Sequence, residues 1–177
     1  MSNAIVSLML IAMMLVTGMG FAKTAFNSVA SLSDSYKTAE QVNQNTSRTE
    51  VAILKAEIPT GPVNAYVLNA GQVNLANFPA WDVLVHYYSD SGIYYIRRLP
   101  CAGMATPGAN QWGVISIYAN QDLGQTEVFE PGILDPGEVA EFQLNLSPQP
   151  GVNTMGWIVL STPSGVPASI QFQRRGV

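Results

Sequence analysis

The pattern of apolar and polar positions divides this chain into two parts with different periods. From Ala4 to Ala22 the sequence AIVSLMLIAMMLVTGMGFA is apolar almost without a break, interrupted by Ser7, Thr17, Gly18 and Gly20. At 1.5 Å per helical residue these 19 positions span about 29 Å, close to the roughly 30 Å of a bilayer core. Beyond them Phe21, Ala25, Val29, Leu32, Tyr36, Ala39 and Val42 recur at spacings of four, four, three, four, three and three. That is one stripe of an amphipathic helix. Asn27, Ser28, Ser31, Ser33, Asp34, Ser35, Lys37 and Glu40 fill the positions between, and no proline occurs before Pro59. Gly18 and Gly20 are each tolerable in a helix at about 1 kcal/mol relative to Ala. The pattern predicts one helix from about Ser2 to about Asn45, roughly 65 Å long. Its first half is apolar on every side, and its second half has one apolar stripe.

From about Thr49 the apolar runs shorten to strand length and alternate. Candidate strands are Val51–Ile58, Val63–Asn69, Trp81–Tyr88, Ile93–Leu99, Gly113–Ala119, Glu138–Leu146, Met155–Ser161 and Ala168–Gln173. Between them lie turn signals such as Pro59-Thr60-Gly61-Pro62, Asn69-Ala70-Gly71, Asp90-Ser91-Gly92, Pro107-Gly108, Pro131-Gly132, Asp135-Pro136-Gly137 and Pro163-Ser164-Gly165. In the third strand Trp81, Val83, Val85 and Tyr87 share one face, opposite Asp82, Leu84, His86 and Tyr88. In the sixth, Val139, Glu141, Gln143 and Asn145 oppose Ala140, Phe142, Leu144 and Leu146. Eight short strands with no amphipathic helix between them predict an antiparallel β-sandwich. There is no Cys-Trp-Cys pattern of the antibody kind. The fold class is therefore α+β: a long N-terminal hydrophobic helix (residues 1–48) followed by an Ig-like sandwich head (residues 49–177). About 125 residues are enough for the head to build a core alone.

Composition sharpens the division. Only 11% of residues are charged, against about 25% in an ordinary soluble domain. No ionisable side chain occurs from Met1 to Ala22, and Lys23 is the first. Three readings of this segment compete. A secretory signal peptide needs a basic flank and a shorter apolar run. A plain anchor needs Lys or Arg on its cytoplasmic flank, and the N-terminal flank has none. The third supplies the missing charge: a short basic leader removed just before Met1. Ala4, Ser7, Ala12, Thr17, Gly18, Gly20 and Ala22 allow neighbouring helices to approach closely. Met1, Met9, Met13, Met14 and Met19 fill irregular gaps, whether against lipid or against another helix.

Few residues offer chemistry. The net charge is -4 with eight basic residues, a poor match to phosphate-backbone recognition. One His and one Cys exclude a zinc finger or iron–sulfur site, and one Cys allows no internal disulfide. His86 lies mid-strand beside Tyr87 and Tyr88, with no nucleophile motif around it. Cys101 follows Pro100 in a predicted loop and reads as an incidental thiol. Asp82, Asp90, Asp122, Glu127, Glu130 and Asp135 are scattered and form no EF-hand-like run that would announce Ca²⁺. The head carries five cations (Lys55, Arg97, Arg98, Arg174, Arg175) against ten acids, leaving -5. The pairs Arg97-Arg98 and Arg174-Arg175 are too short for nucleic acid and could face an acidic neighbour. Asn45-Thr46-Ser47 and Asn145-Leu146-Ser147 fit N-x-[ST], which makes Asn45 and Asn145 candidate glycosylation sites.

An apolar helix continuing into an amphipathic one, then a β-rich head, resembles the type IV filament superfamily. Within it the segment Ile5 to Ala22, above all Ile11-Ala12-Met13-Met14-Leu15-Val16, resembles the N-terminus of archaellins, the archaeal-type flagellins. In the head, Val67-Leu68-Asn69-Ala70-Gly71 resembles their V-x-N-x-G strand end, and Leu134-Asp135-Pro136-Gly137-Glu138 their L-x-P-G-E turn. Bacterial type IV pilins carry Glu at the fifth mature position, where this chain has Ile5, and their heads hold a disulfide. The resemblance implies a structural, non-enzymatic subunit of an extracellular motility filament, with no cofactor and no small-molecule substrate. Its partners would be copies of itself, the cytoplasmic membrane before assembly, a leader peptidase and an archaellum-type assembly motor. The filament core would be packed by Ile5, Leu8, Met9, Leu10, Ile11, Met13, Met14, Leu15, Val16, Phe21, Val29, Leu32 and Tyr36. Two alternatives share these features. One is a membrane-anchored accessory sandwich of the same machinery, stator-like and binding the surface layer; the other is an adhesive type IV pilus subunit.

Overall fold

The computed structural model describes residues 2–59, 61–119, 124–127, 130 and 132–176. Met1, Thr60, Asp122 and Pro131, named above, lie outside the described residues, as do the side chains of Ser2 and Ala4. Two compact units are present, Met1–Gln44 and Asn45–Val177.

Helix α1 runs Ser2–Arg48, 47 residues. It ends one turn beyond the expected Asn45, because Asn45 and Thr46 still accept the backbone amide of Thr49 at 3.0 and 3.2 Å. The Thr49 hydroxyl donates to Asn45 O at 2.7 Å and closes that turn.

The head contains eight strands: β1 Val51–Glu57, β2 Val63–Asn69, β3 Asp82–Tyr88, β4 Tyr94–Leu99, β5 Gln111–Tyr118, β6 Val139–Asn145, β7 Met155–Ser161 and β8 Pro167–Gln173. Each expected strand is present; β2 and β7 have the expected ends, and the others are shifted by one or two residues. The largest shift is at β5, which starts at Gln111 rather than Gly113; Gln111 pairs with Asn145 across the ladder. Trp81 precedes β3 and closes a 3-10 turn over Phe78–Ala80.

The strands form two four-stranded sheets, ordered β1-β2-β6-β5 and β4-β3-β7-β8, antiparallel throughout. Alternation puts Val63, Ala65, Val67, Val83, Val85, Tyr87, Phe142, Leu144, Ile158 and Leu160 between the sheets, all essentially inaccessible. Phe142 sits at the centre of an aromatic cluster. Its ring lies 4.9 Å from Trp112, 5.7 Å from Trp81 and 5.9 Å from Phe78, stacked on the first and edge-on to the others. Such pairs add about 0.5–1.5 kcal/mol each beyond area burial. Irregularities at Ile53/Lys55 and Val114/Ser116 bend the two edge strands of the first sheet.

Candidate assembly surface

The helix carries its apolar side chains in the open. All thirteen residues expected to pack a filament core lie on α1, and each is between 56% and 80% exposed. From Ile5 to Ala22 they surround the helix, so no orientation against one flat partner buries them all. Farther along, Val29, Leu32, Tyr36 and Val42 keep the stripe exposed.

Six hydroxyls of this helix are already bonded within it. Ser7 donates to Asn3 O at 2.9 Å, and Thr17 to Met13 O at 2.9 Å. Thr24, Ser28, Ser35 and Thr38 each donate to the carbonyl four residues back, at 2.9–3.0 Å. A hydroxyl bonded in this way can leave water without the penalty of an orphaned donor. The segment is long and apolar enough to cross a membrane, and its own geometry equally suits burial among other helices.

At the start of the head, the two short motifs singled out in the sequence meet in space. Asn69 is fully buried. Its Nδ2 donates to Val73 O at 2.8 Å and to Leu134 O at 2.9 Å, and its Oδ1 accepts Gly71 N at 3.1 Å. Its backbone accepts Gly137 N at 2.8 Å and donates to Glu138 O at 3.0 Å. One asparagine therefore ties the end of β2 to the turn before β6. The same loop grips the chain leaving the helix: Gln72 N donates to Arg48 O at 2.8 Å and Ala70 N to Glu50 O at 3.0 Å. A Cβ on Gly71 would lie 2.6 Å from both Arg48 O and Glu50 N. Only glycine allows that approach. Gly137 has φ +89°, the left-handed region that its turn requires.

Carboxylates that are scattered in sequence converge here. Glu127, Glu130, Asp135 and Glu138 line one cleft of about 580 Å³ with Ala119, Gln125 and Thr126. Glu138 is buried, and its Oε2 accepts Asp135 N at 2.8 Å. Burial pushes its carboxyl above the ordinary range, and the nearby Asp135, Glu127 and Glu130 push the same way against the backbone hydrogen bond. Glu127 Oε1 similarly accepts Glu130 N at 2.9 Å. These acids cap turns. Among the described residues no group of three or more His, Cys, Asp or Glu is arranged to hold a metal ion.

Three of the four paired arginines are engaged within the chain rather than offered to a neighbour. Arg98 forms an ion pair with Asp82, Arg174 with Asp90 at 3.2 Å, and Arg97 stacks over Tyr95 at 5.0 Å. Arg175 is exposed. His86 stacks on Trp157 with the planes 6° apart, and its Nδ1 lies 2.9 Å from the Tyr94 hydroxyl. Cys101 is half-buried, pairs with Trp112 in an isolated bridge and accepts Gly103 N at 3.2 Å; burial raises its thiol. Of the two sequons, Asn45 is exposed in the last helical turn. Asn145 lies in β6 with its Nδ2 donating to Pro107 O at 3.2 Å.

Sequence reasoning missed the outward face of the second sheet. There Leu84, Tyr88, Tyr94, Ile96, Met155 and Trp157 are exposed together. The signal was legible: β3, β4 and β7 carry large apolar residues at outward positions too, set among Asp82, His86 and Arg98.

The architecture is thus one long, exposed apolar helix followed by a two-sheet antiparallel sandwich with its own core. No family model matches the sequence, and no curated protein does. Among solved structures, a chain in "The archaeal flagellum of Methanospirillum hungatei strain JF1" aligns with 97% of this chain and 93% of its own, at TM-score 0.52 and 10% identity. The archaellum periplasmic stator protein FlaG from Sulfolobus acidocaldarius aligns with 70% of this chain and 99% of its own, at TM-score 0.49 and 21% identity. A chain of the FlaF and FlaG stator complex of that organism gives the same score and identity, covering 70% of this chain and 89% of its own. This chain shares the fold of the flagellum chain over both helix and head.

Proposed function

We propose that this chain is the structural subunit of an archaellum-type extracellular filament, polymerising through α1. One observation carries the reading. The apolar surface of α1 does not stop at the length of a bilayer. At 1.5 Å per residue, 47 residues extend about 70 Å, more than twice the roughly 30 Å of a hydrocarbon core. A plain anchor needs about 20 apolar residues and nothing beyond them. Val29, Leu32, Tyr36 and Val42 continue the apolar surface past that limit, and a bundle of copies covers all of it. In lipid the first half is a stable span. On extraction it exchanges lipid contacts for those of other α1 helices, held by close packing at small residues. Heterologous contacts related by a screw do not close, and they generate an open helical polymer.

The same reading brings the membrane before assembly, a leader peptidase and an assembly motor as partners. It places the assembled chain outside the cell and assigns it no catalysis. Asn45, exposed, is the better placed of the two glycosylation candidates.

The test is electron microscopy of filaments sheared from the cell surface, with peptide identification. This chain as the bulk component supports the reading. Recovery of this chain from membranes alone overturns it in favour of an anchored, stator-like accessory protein. Swimming of a deletion strain then separates a motility filament from an adhesive one: the reading predicts loss of swimming, and retained swimming contradicts it.

A further inference from the structure

The outward faces of the two sheets differ in kind. On the β1-β2-β6-β5 sheet, Asn64, Tyr66 and Tyr118 all donate to the Glu141 carboxylate, at 3.0, 3.4 and 2.8 Å. Lys55 lies over the Tyr66 ring at 4.2 Å. The centre of that face is polar and internally bonded, with exposed Leu54 and Ile115 only at the bulges of its edge strands. On the other sheet β3, β4 and β7 present mainly apolar and aromatic side chains outward, while β8 at its edge presents Ser169, Gln171 and Gln173. The register places Ile96, His86 and Trp157 in one row across three strands, with Tyr88 opposite Tyr94 in the next. The Tyr88 and Tyr94 rings are 4.9 Å apart. Ile96 is 67% exposed and Trp157 38%.

We infer that this face pairs two heads, each presenting the same β4-β3-β7-β8 surface to the other. Three observations select a second copy as the occupant. The first is area. The six exposed side chains leave roughly 600 Å² open, at the upper limit for the largest apolar patch of a monomer. With a polar rim this approaches the roughly 800 Å² per partner of a standard interface. The second is charge. The head is net -5, five cations against ten acids, so two heads repel over most of their surface. On β3, β4 and β7 the outward charges are Asp82 and Arg98, which pair with each other, and exposed Arg175 lies at the β8 margin beside Met155. It is an approach on which two acidic copies meet no net negative charge. The third is self-complementarity. A neutral apolar centre with donors and acceptors at its margin matches itself under a two-fold axis without placing like charges opposite each other.

An isologous pair closes on itself and does not propagate. It therefore joins heads of two polymers, or of two chains before assembly, and adds no contact along one filament. The inference stands independently of the polymerisation of α1.

The head supplies a complete core of its own, so the Asn45–Val177 unit can be tested alone. Its mass is followed by sedimentation equilibrium from low to high micromolar concentration. A monomer–dimer equilibrium is expected. Ile96→Arg and Trp157→Arg should each weaken it at least about thirtyfold, as for loss of an aromatic or apolar hot spot. Lys55→Glu on the polar sheet should leave it unchanged, with far-ultraviolet circular dichroism confirming the fold. In the unmutated head, hydrogen exchange at β3, β4 and β7 should slow as concentration rises, a readout that needs no variant. A head that stays monomeric throughout overturns the inference. So does a dimer that survives both arginine substitutions, or one protected only on the other sheet.

Discussion

In the head, Val63, Val67, Val85, Trp112 and Leu134 are sealed between two sheets; on the helix, Leu8, Met14, Val16 and Phe21 stand almost fully exposed. Both regions are rich in large apolar side chains, and both have their local hydrogen bonds in place. They differ in where the partner surface comes from. The head folds a sheet over a sheet and supplies its own. A single helix cannot do so, because a surface apolar on every side has no inner face to turn toward. The head is therefore a folding unit and α1 an assembly unit. A substitution should declare itself in stability when it falls in the first and in polymerisation when it falls in the second.

The sharpest way to break that contrast is a buried charge on the helix. Leu15→Asp should abolish filament formation, since an unpaired carboxylate in the helical bundle costs several kcal/mol in every subunit. The head within the full Leu15→Asp chain should melt as it does in the unmutated chain, because its core contains no residue from that segment. Filaments of normal yield with Leu15→Asp, counted by electron microscopy, would remove the helix from the core.

The complementary change lies at the centre of the head. Phe142→Ala should destabilise the head by about 3–5 kcal/mol, the range for a buried phenylalanine truncated to alanine. It removes ring contacts with Trp112, Trp81 and Phe78 at once. Chemical denaturation of the head measures the loss. A decrease under 1 kcal/mol would mean that the two sheets do not close over this cluster.

A smaller effect is expected where the loop after β2 grips the last helical turn. Asn69→Ala should cost roughly 2–3 kcal/mol, because it takes the side-chain partners of Val73 O and Gly71 N and leaves Leu134 O with the Leu75 amide alone. Asn69→Asp should be no milder, since the carboxylate keeps the acceptor and loses both donations. Equal stability of all three proteins in urea would show that the network contributes nothing.

The smallest predicted effect is a pH dependence. Glu138 has its carboxyl raised on folding, first by burial and then by neighbouring acids. The folded head holds this proton at pH values where the unfolded chain has released it. Stability therefore falls as pH climbs from the ordinary carboxyl range through the raised value, and the loss is absent below it. Glu138→Gln keeps an oxygen for Asp135 N and removes the ionisation. Its melting temperature should decline less than that of the unmodified head over that interval. Parallel curves for the two proteins would assign the slope to other groups.

The parts legible in the sequence were those where one period dominates. The 3.6-residue stripe located α1 because no glycine or proline interrupts it strongly enough to stop it. Strict alternation, as in Val83, Val85 and Tyr87, located the strands and their inner faces. Ends were less legible: Asn45 reads as the end of the stripe, yet the backbone carries the helix to Arg48. Convergence was not legible at all. Asn69 and Leu134 are 65 positions apart, and no local pattern tells that one side chain joins two motifs. The acids around Glu138 looked scattered for the same reason, since their proximity depends on how β5 and β6 pair. The apolar outer face of the second sheet was visible as outward Leu84, Ile96 and Trp157, but alternation arguments count inward residues first.

The central claim is that the same α1 surface, open in the isolated chain, is closed in the polymer. Cysteine accessibility tests it directly. In a Cys101→Ser background, Met13→Cys and Lys55→Cys are each introduced singly and their maleimide labelling rates measured in assembled filaments. The helix–core reading predicts that the cysteine at position 13 is protected by orders of magnitude, while the one at position 55 reacts at the rate of an exposed strand. Equal labelling at the two positions in intact filaments would contradict it.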